Sequence, residues 1–279
     1  MKKETIRSTD FTQKERPKTR SKQFLDIFKH RFLELMKLSF LQTVFNMPLL
    51  VTIFIFWLLL TKADGNSLMT VFLIQGGTML IALPSSFVGL TGSFYALKKL
   101  AYAEGEYASS SFFLGLREEW KKGLAIGLIA GFSAALAVIG LYYFIFAAEG
   151  LNTAMIGFGI AICIIQLIVI LIVSYYSISQ VVVYQNKLRF ILKNSFIMTL
   201  MRFPINLGLL ILYPGGFVAL VCIMPITMYV GLALMIFTAA FGHVVWLLNC
   251  LSAFDKYINK EQFPDYYRKG LYKEETEEE

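Results

Sequence analysis

Five long stretches without Asp, Glu, Lys or Arg constrain this 279-residue chain more than any other feature. They cover residues 38 to 61, 65 to 97, 123 to 148, 150 to 186 and 203 to 254. A helix needs roughly 20 apolar residues to cross a hydrocarbon core of about 30 Å, so each stretch suffices for one crossing. The last stretch has 52 residues and suffices for two. The sequence therefore predicts an all-α, polytopic integral membrane protein with six transmembrane helices.

The positions of the basic residues predict how these spans are oriented. Lys and Arg residues near the ends of spans are retained on the cytoplasmic side of a membrane. With six spans, 25 of the 26 basic residues fall on one side, and only Lys62 falls on the other. We therefore expect both chain termini to be cytoplasmic.

The polar residues offer little that catalysis could use. No carboxylate, Lys or Arg lies inside a span, so His243 is the candidate for an ionisable group in the membrane. The three cysteines lie in apolar stretches without CxxC or Cys/His spacing, which predicts neither disulfides nor a zinc site. Motifs for nucleophilic, metal or phosphate chemistry are absent from the sequence. We expect a non-enzymatic protein with no catalytic residues, cofactor or metal.

Composition divides the chain into three segments. Residues 1–23 are rich in Lys, Arg, Thr and Ser and are predicted to form a disordered basic cytoplasmic arm. Residues 24–257 form the six-helix membrane domain, and residues 258–279 form an acidic cytoplasmic tail. The net charge of +7 follows from the membrane topology, so it does not indicate a nucleic-acid partner.

Amphipathic stretches precede spans 1, 3 and 5, and each predicts an interfacial helix. The first covers Phe24 to Phe40. The second begins at the capping hydroxyls of Ser109 to Ser111, and we expect it to lie flat on the membrane surface before span 3 opens at Gly123. The third, Lys187 to Arg202, contains no acid and leads into span 5 through Pro204, where a helix can restart.

Small residues recur at four-residue intervals at the start of span 3, namely Gly123, Gly127, Gly131 and Ala135. Such a smooth face lets another backbone approach closely. It indicates either a contact with another helix of the same chain or a dimer interface, and the internal contact is the commoner use.

Four polar residues in spans 4 and 6 are candidates for a polar cleft: Tyr175, Ser177, Gln180 and His243. Their hydroxyl, amide and imidazole groups could line a pathway for a solute. Hydrogen bonding between neighbouring helices is the commoner use of such groups.

Two positions could interrupt the chain between spans 5 and 6. The sequence Tyr213-Pro214-Gly215-Gly216 could form either a kink or the outer turn. A turn near Met224-Pro225 is our expectation, because it leaves spans of plausible length at residues 203 to 222 and 227 to 252.

The segment Leu83 to Gly123 resembles the central signature of the YesL-like family, bacterial integral membrane proteins that carry a domain of unknown function. The resemblance covers residues 30 to 257. The helix containing Pro84, a Gly105-Glu106 turn, a helix containing Phe112-Phe113 and the Lys193-Asn194 pair carry it. The candidate motif and packing residues are Pro84, Gly105, Glu106, Phe113, Lys193, Asn194, Gly127 and Gly131.

Proteins of this family are similar to accessory proteins found beside carbohydrate importers in Gram-positive bacteria. The resemblance implies an accessory or scaffold component of the bacterial plasma membrane, associated with carbohydrate uptake by an ABC-type importer. Its partners would be the lipid bilayer, a sugar-importer permease and, as a further option, a second copy of the chain. The alternative is a small solute carrier with a polar pathway near spans 4 and 6.

Overall fold

A computed structural model describes residues 16–65, 67–104, 107–184, 186–215 and 225–272. Within these ranges every regular element is a helix. The helices are α1 (Arg20–His30), α2 (Phe32–Leu60), α3 (Leu68–Ala101), α4 (Ala108–Tyr142), α5 (Thr153–Val183), α6 (Leu188–Met201), α7 (Phe203–Leu210), α8 (Pro225–Phe254) and α9 (Lys260–Gln262). Turns of π-helix extend α4, α7 and α8 over Tyr143–Ala147, Ile211–Gly215 and Asp255–Asn259, and a 3-10 turn, Pro264–Tyr266, follows α9.

Five of the described helices are long and apolar enough to cross a membrane. Helices α6 and α7 pass the same test only as a pair, which is bent by 90° and is either a broken span or a re-entrant loop. The all-helical, membrane-type architecture expected from the sequence is therefore confirmed at this level. The number of crossings within the described ranges is five or six.

The predicted interfacial helix before span 1 is divided into two helices. Thr19 caps α1, since its side-chain oxygen accepts a hydrogen bond from the Lys22 amide at 3.3 Å. The chain leaves helical geometry at Arg31, where φ is −125° and ψ is 22°. Helix α2 then continues without a break through the apolar stretch, so α1 alone precedes span 1 as a separate helix.

The prediction of a separate, flat helix before span 3 is wrong. Helix α4 runs unbroken from Ala108 to Tyr142, so the amphipathic stretch and the span are one rod. At 1.5 Å per residue this rod is about 52 Å long, well beyond the roughly 30 Å of a hydrocarbon core. No proline interrupts it, and its interior glycines are held by contacts with α3, which removes any reason for a bend at Gly123.

The glycine face of α4 packs against α3 within the same chain. A Cβ on Gly127 would lie 2.6 Å from the Cα of Pro84, and one on Gly131 would lie 2.9 Å from the carbonyl oxygen of Met79. A Cβ on Gly123 would lie 2.3 Å from the hydroxyl oxygen of Thr91. The internal contact, the first of the two alternatives for this face, is the one present. The backbone of Pro84 therefore lies directly against Gly127.

The chain bends just before the predicted span 5 and breaks again within it. Helix α6 covers the third predicted amphipathic stretch, and it meets α7 at an angle of 90° at Arg202, just before Pro204. Within the turn that extends α7, Tyr213 has extended dihedral angles, so the helix breaks there. This is the position at which the sequence allowed either a kink or the outer turn. Residues 216–224, which include Met224 of the expected turn, lie outside the described residues, and α8 begins at Pro225.

The buried core lies towards one end of the helix bundle. In α2 the buried residues all precede Pro48, and in α5 an unbroken buried run covers Ile172 to Val183. At the other end of the bundle large apolar side chains are exposed, among them Phe54, Trp57 and Phe158. An apolar exterior at this end suits contact with lipid. Both described chain ends lie at the packed end of the bundle.

Candidate functional site

The four cleft candidates are all buried, but they do not form one group. Their side chains range from fully buried at Ser177 and Gln180 to 8% exposed at Tyr175. Tyr175 and His243 meet at the α5–α8 contact, with ring centroids 6.2 Å apart. Gln180 instead points to α6, where its amide nitrogen donates to the Ser195 hydroxyl at 2.9 Å. Within the described residues, Tyr175 and His243 on the one hand and Gln180 on the other therefore make separate contacts.

An aromatic cage surrounds His243. The Tyr213 hydroxyl donates to the carbonyl oxygen of Ala239 at 2.8 Å and lies 3.4 Å from Nε2 of His243. The Phe94 ring centroid lies 5.8 Å from that of His243. Trp246, one helical turn further along α8, is fully buried and stacks on Tyr175 at 4.5 Å. These rings hold the imidazole in a closed, apolar environment.

A second polar group joins α5, α6, α7 and α8 through amide side chains. The Oδ1 atom of Asn206 accepts hydrogen bonds from the Tyr176 hydroxyl and from the Asn249 amide, both at 3.1 Å. The Asn206 amide donates to the Thr199 carbonyl at 3.3 Å, and the Arg202 guanidinium donates to the Asn249 carbonyl at 2.9 Å. One asparagine thus ties four helices together where α6 and α7 meet.

Some buried polar atoms near these groups have no hydrogen-bond partner within the described part of the chain. They are Oγ of Ser177, Oε1 of Gln180, Nδ1 of His243 and Nε1 of Trp246. A buried polar group without a partner costs about 1–3 kcal/mol, and such groups often bond to ordered water.

The two described chain ends meet in what we call the terminal clasp, which comprises residues 17–23, 101–104 and 255–272. Arg20 forms an ion pair with Asp255 at 2.7 Å, and both side chains are at most 12% exposed. The other carboxylate oxygen of Asp255 accepts from the amide of Arg268 at 3.0 Å and from Asn259 at 2.9 Å. The amide of Tyr272 donates to the carbonyl of Pro17 at 3.2 Å.

Gly270 closes the clasp against the end of α3. Its φ of +82° is in the left-handed region, and a Cβ there would lie 2.0 Å from the carbonyl oxygen of Ala101. Gln23 donates to the carbonyl oxygens of both Ala101 and Gly270. Lys269 pairs with Glu104 at 3.1 Å. The loop after α3 is therefore held from both ends of the chain.

Two buried tyrosines, Tyr102 and Tyr184, contact the aromatic rings of the clasp. The Tyr184 hydroxyl donates to Oδ1 of Asn259, and its ring lies 4.8 Å from that of Phe263. Burial raises the pKa of Tyr184 and the pKa of Tyr102 well above the ordinary tyrosine value. Both phenols therefore remain neutral at physiological pH.

The residues that carry the resemblance described above are dispersed. Phe113 is half-exposed, and together with Phe40 and Phe237 it lines an apolar groove of about 380 Å³ between α2, α4 and α8. Lys193 and Asn194 lie on α6, beside Ser195 of the Gln180 contact. Gly105 and Glu106 lie outside the described residues.

Sequence reasoning missed both the Asn206 group and the clasp. Asn206 is the one asparagine between Arg202 and the end of α7, and an amide in an apolar stretch is a usable signal for interhelical bonding. The clasp leaves no such signal, because Arg20 and Asp255 lie 235 residues apart.

Comparisons with known proteins add no assignment. No family model, no curated protein and no solved structure matches the chain. Among the described residues, no group of three or more His, Cys, Asp and Glu residues could hold a metal ion. The arrangement as described is a set of interhelical contacts.

Proposed function

We propose that this chain is a non-enzymatic, multi-pass protein of a bacterial plasma membrane that acts as an accessory or scaffold component beside a carbohydrate importer. The burial of the four cleft candidates supports a scaffold. Because Tyr175 is at most 8% exposed and the other three less so, water has little access to a transport pathway through them. The association with sugar uptake comes from the YesL-like resemblance, as does the absence of a known catalytic activity.

We also propose that the chain has six spans and that both of its termini lie in the cytoplasm. The clasp supports an even number of crossings, because residues 17 and 272 are hydrogen bonded to each other and must lie on the same side of a membrane. The excess of Lys and Arg then makes that side cytoplasmic.

Genetic and biochemical tests address the scaffold role together. The gene is deleted in strains with and without the neighbouring transport genes, and uptake of oligosaccharides is measured. An accessory protein reduces uptake only where those transporters are present, and crosslinking followed by purification in mild detergent recovers an importer permease with it. Uptake restored by this protein alone in a transporter-free host would overturn the scaffold proposal.

A carrier is the second candidate, and the unpartnered polar atoms of Ser177, Gln180 and His243 favour it. Single cysteines replace Tyr175, Ser177, Gln180 and His243 in a chain whose three native cysteines are serines. Inside-out vesicles are treated with a membrane-impermeant thiol reagent, and a cysteine in place of the exposed Lys121 is the positive control. Labelling of the four positions supports a carrier, whereas complete protection beside a labelled control contradicts it.

A further inference from the structure

Helix α6 carries a basic surface that no acid of its own segment balances. Lys187, Arg189, Lys193 and Arg202 are its charged residues, and residues 187–202 contain neither Asp nor Glu. The first three side chains are exposed. None of the four pairs with a carboxylate among the described residues. By contrast, Lys37 of α2 and Lys122 of α4 each pair with a glutamate of their own helix.

The same helix presents large apolar side chains beside these charges. Phe196, Leu200 and Met201 are 49%, 54% and 53% exposed, and Phe190 is 57% exposed. The opposite side of α6 is buried against the bundle through Ile191, Ser195, Met198 and Thr199. Arg189, Lys193, Phe196 and Leu200 follow one another at three- and four-residue intervals, so basic and apolar side chains share one exposed face of α6. An amphipathic surface of this kind matches the boundary between lipid headgroups and acyl chains.

The junction with α7 fixes how this surface meets a membrane. The 90° bend at Arg202 means that α6 lies parallel to the membrane plane if α7 enters the bilayer. Arg202 sits at the bend, partly buried, and its guanidinium donates to the carbonyl of Asn249 on α8.

We infer that the exposed face of α6 forms a binding surface for an anionic phospholipid. The phosphate and its headgroup contact Arg189 and Lys193, and the acyl chains pack along Phe196 and Leu200. The charge of the surface, with no acid to neutralise it, selects an anionic over a zwitterionic lipid. This inference rests on the membrane assignment and not on the identity of any protein partner.

Native mass spectrometry of the full chain tests the inference with phosphatidylglycerol and phosphatidylcholine as the two probes. The dissociation constant of the first bound lipid is measured for the wild type, for R189Q/K193Q and for K22Q/K29Q, a control that removes two exposed charges from α1 instead. At about 1 kcal/mol for each basic residue, R189Q/K193Q weakens phosphatidylglycerol binding by about 25-fold. The control changes it less than twofold, and the preference for phosphatidylglycerol over phosphatidylcholine falls in R189Q/K193Q and stays at the wild-type value in the control.

The thermal midpoint in detergent reports folding, and it stays at the wild-type value for R189Q/K193Q since both side chains are exposed. If R189Q/K193Q and K22Q/K29Q weaken phosphatidylglycerol binding equally, the effect depends only on net charge and the site is overturned. Unchanged phosphatidylglycerol binding in R189Q/K193Q would overturn it as well. The site would also be overturned if the wild-type protein bound phosphatidylglycerol only after a purified protein partner was added.

Discussion

Gly127 illustrates how one missing side chain sets the spacing of the two central helices. Alanine at this position places a methyl group 2.6 Å from the Cα of Pro84, so one of the helices must move. We expect G127A to destabilise the fold by about 1–3 kcal/mol, the usual cost of overpacking. G77A is the matched control, because nothing lies within 4 Å of its added methyl and alanine is the better helix former. Thermal denaturation in detergent measures both, and equal midpoints would contradict the packing described.

The Asp255 carboxylate is the second residue on which a local arrangement depends. It accepts hydrogen bonds from Arg20, Asn259 and the Arg268 amide, and it is largely shielded from solvent. D255N leaves the Arg20 guanidinium buried without a counter-ion, which costs about 3–5 kcal/mol. K37Q is the control, since the Lys37 side chain is 58% exposed and an exposed ion pair contributes at most about 1 kcal/mol. A D255N protein as stable to heat as K37Q would show that the clasp does not depend on this charge.

Helix α4 is the element where a measurement separates the sequence prediction from the structure most clearly. Spin labels at the exposed positions Phe113 and Phe132 are separated by 19 residues of one helix. At 1.5 Å per residue their backbone separation is about 28 Å, whereas a right-angle bend at Gly123 reduces it to about 20 Å. Pulsed electron–electron double resonance on the doubly labelled protein in lipid measures this distance. A dominant population near the shorter of these two distances would instead support a separate helix that bends at Gly123.

The elements differ in how much of them the sequence could reveal. The long apolar helices follow from composition alone, because crossing a bilayer requires a length that few other structures need. The bend before Pro204 has a local cause that was visible in the sequence. In α4, Gly115, Gly123 and Gly127 pack against α3, so the contact that accompanies the unbroken helix is made with another part of the chain. The amide of Asn206 is a local signal for a contact between helices, but its partners are not, and the clasp depends entirely on contacts between distant segments.

At the scale of the whole molecule, the clasp predicts that both ends of the chain face the same compartment. A fluorescent protein and an alkaline phosphatase are fused in turn to the amino and carboxyl ends of the full chain. Both fluorescent fusions should fluoresce and both phosphatase fusions should be inactive, because green fluorescent protein folds in the cytoplasm and alkaline phosphatase requires disulfides that form outside it. Active phosphatase at one end only would indicate an odd number of crossings and exclude the Pro17–Tyr272 contact in the membrane.

That contact has a consequence for the order of the helices along the chain. Since the backbones of Pro17 and Tyr272 are already hydrogen bonded, a short glycine-serine linker can join them without disturbing the clasp. A circular permutant that begins at Tyr107 and ends at Glu104 opens the chain on the same side of the membrane, so every span keeps its direction. Such a protein should insert and fold, because the packing of α3 on α4 does not require a covalent connection between them.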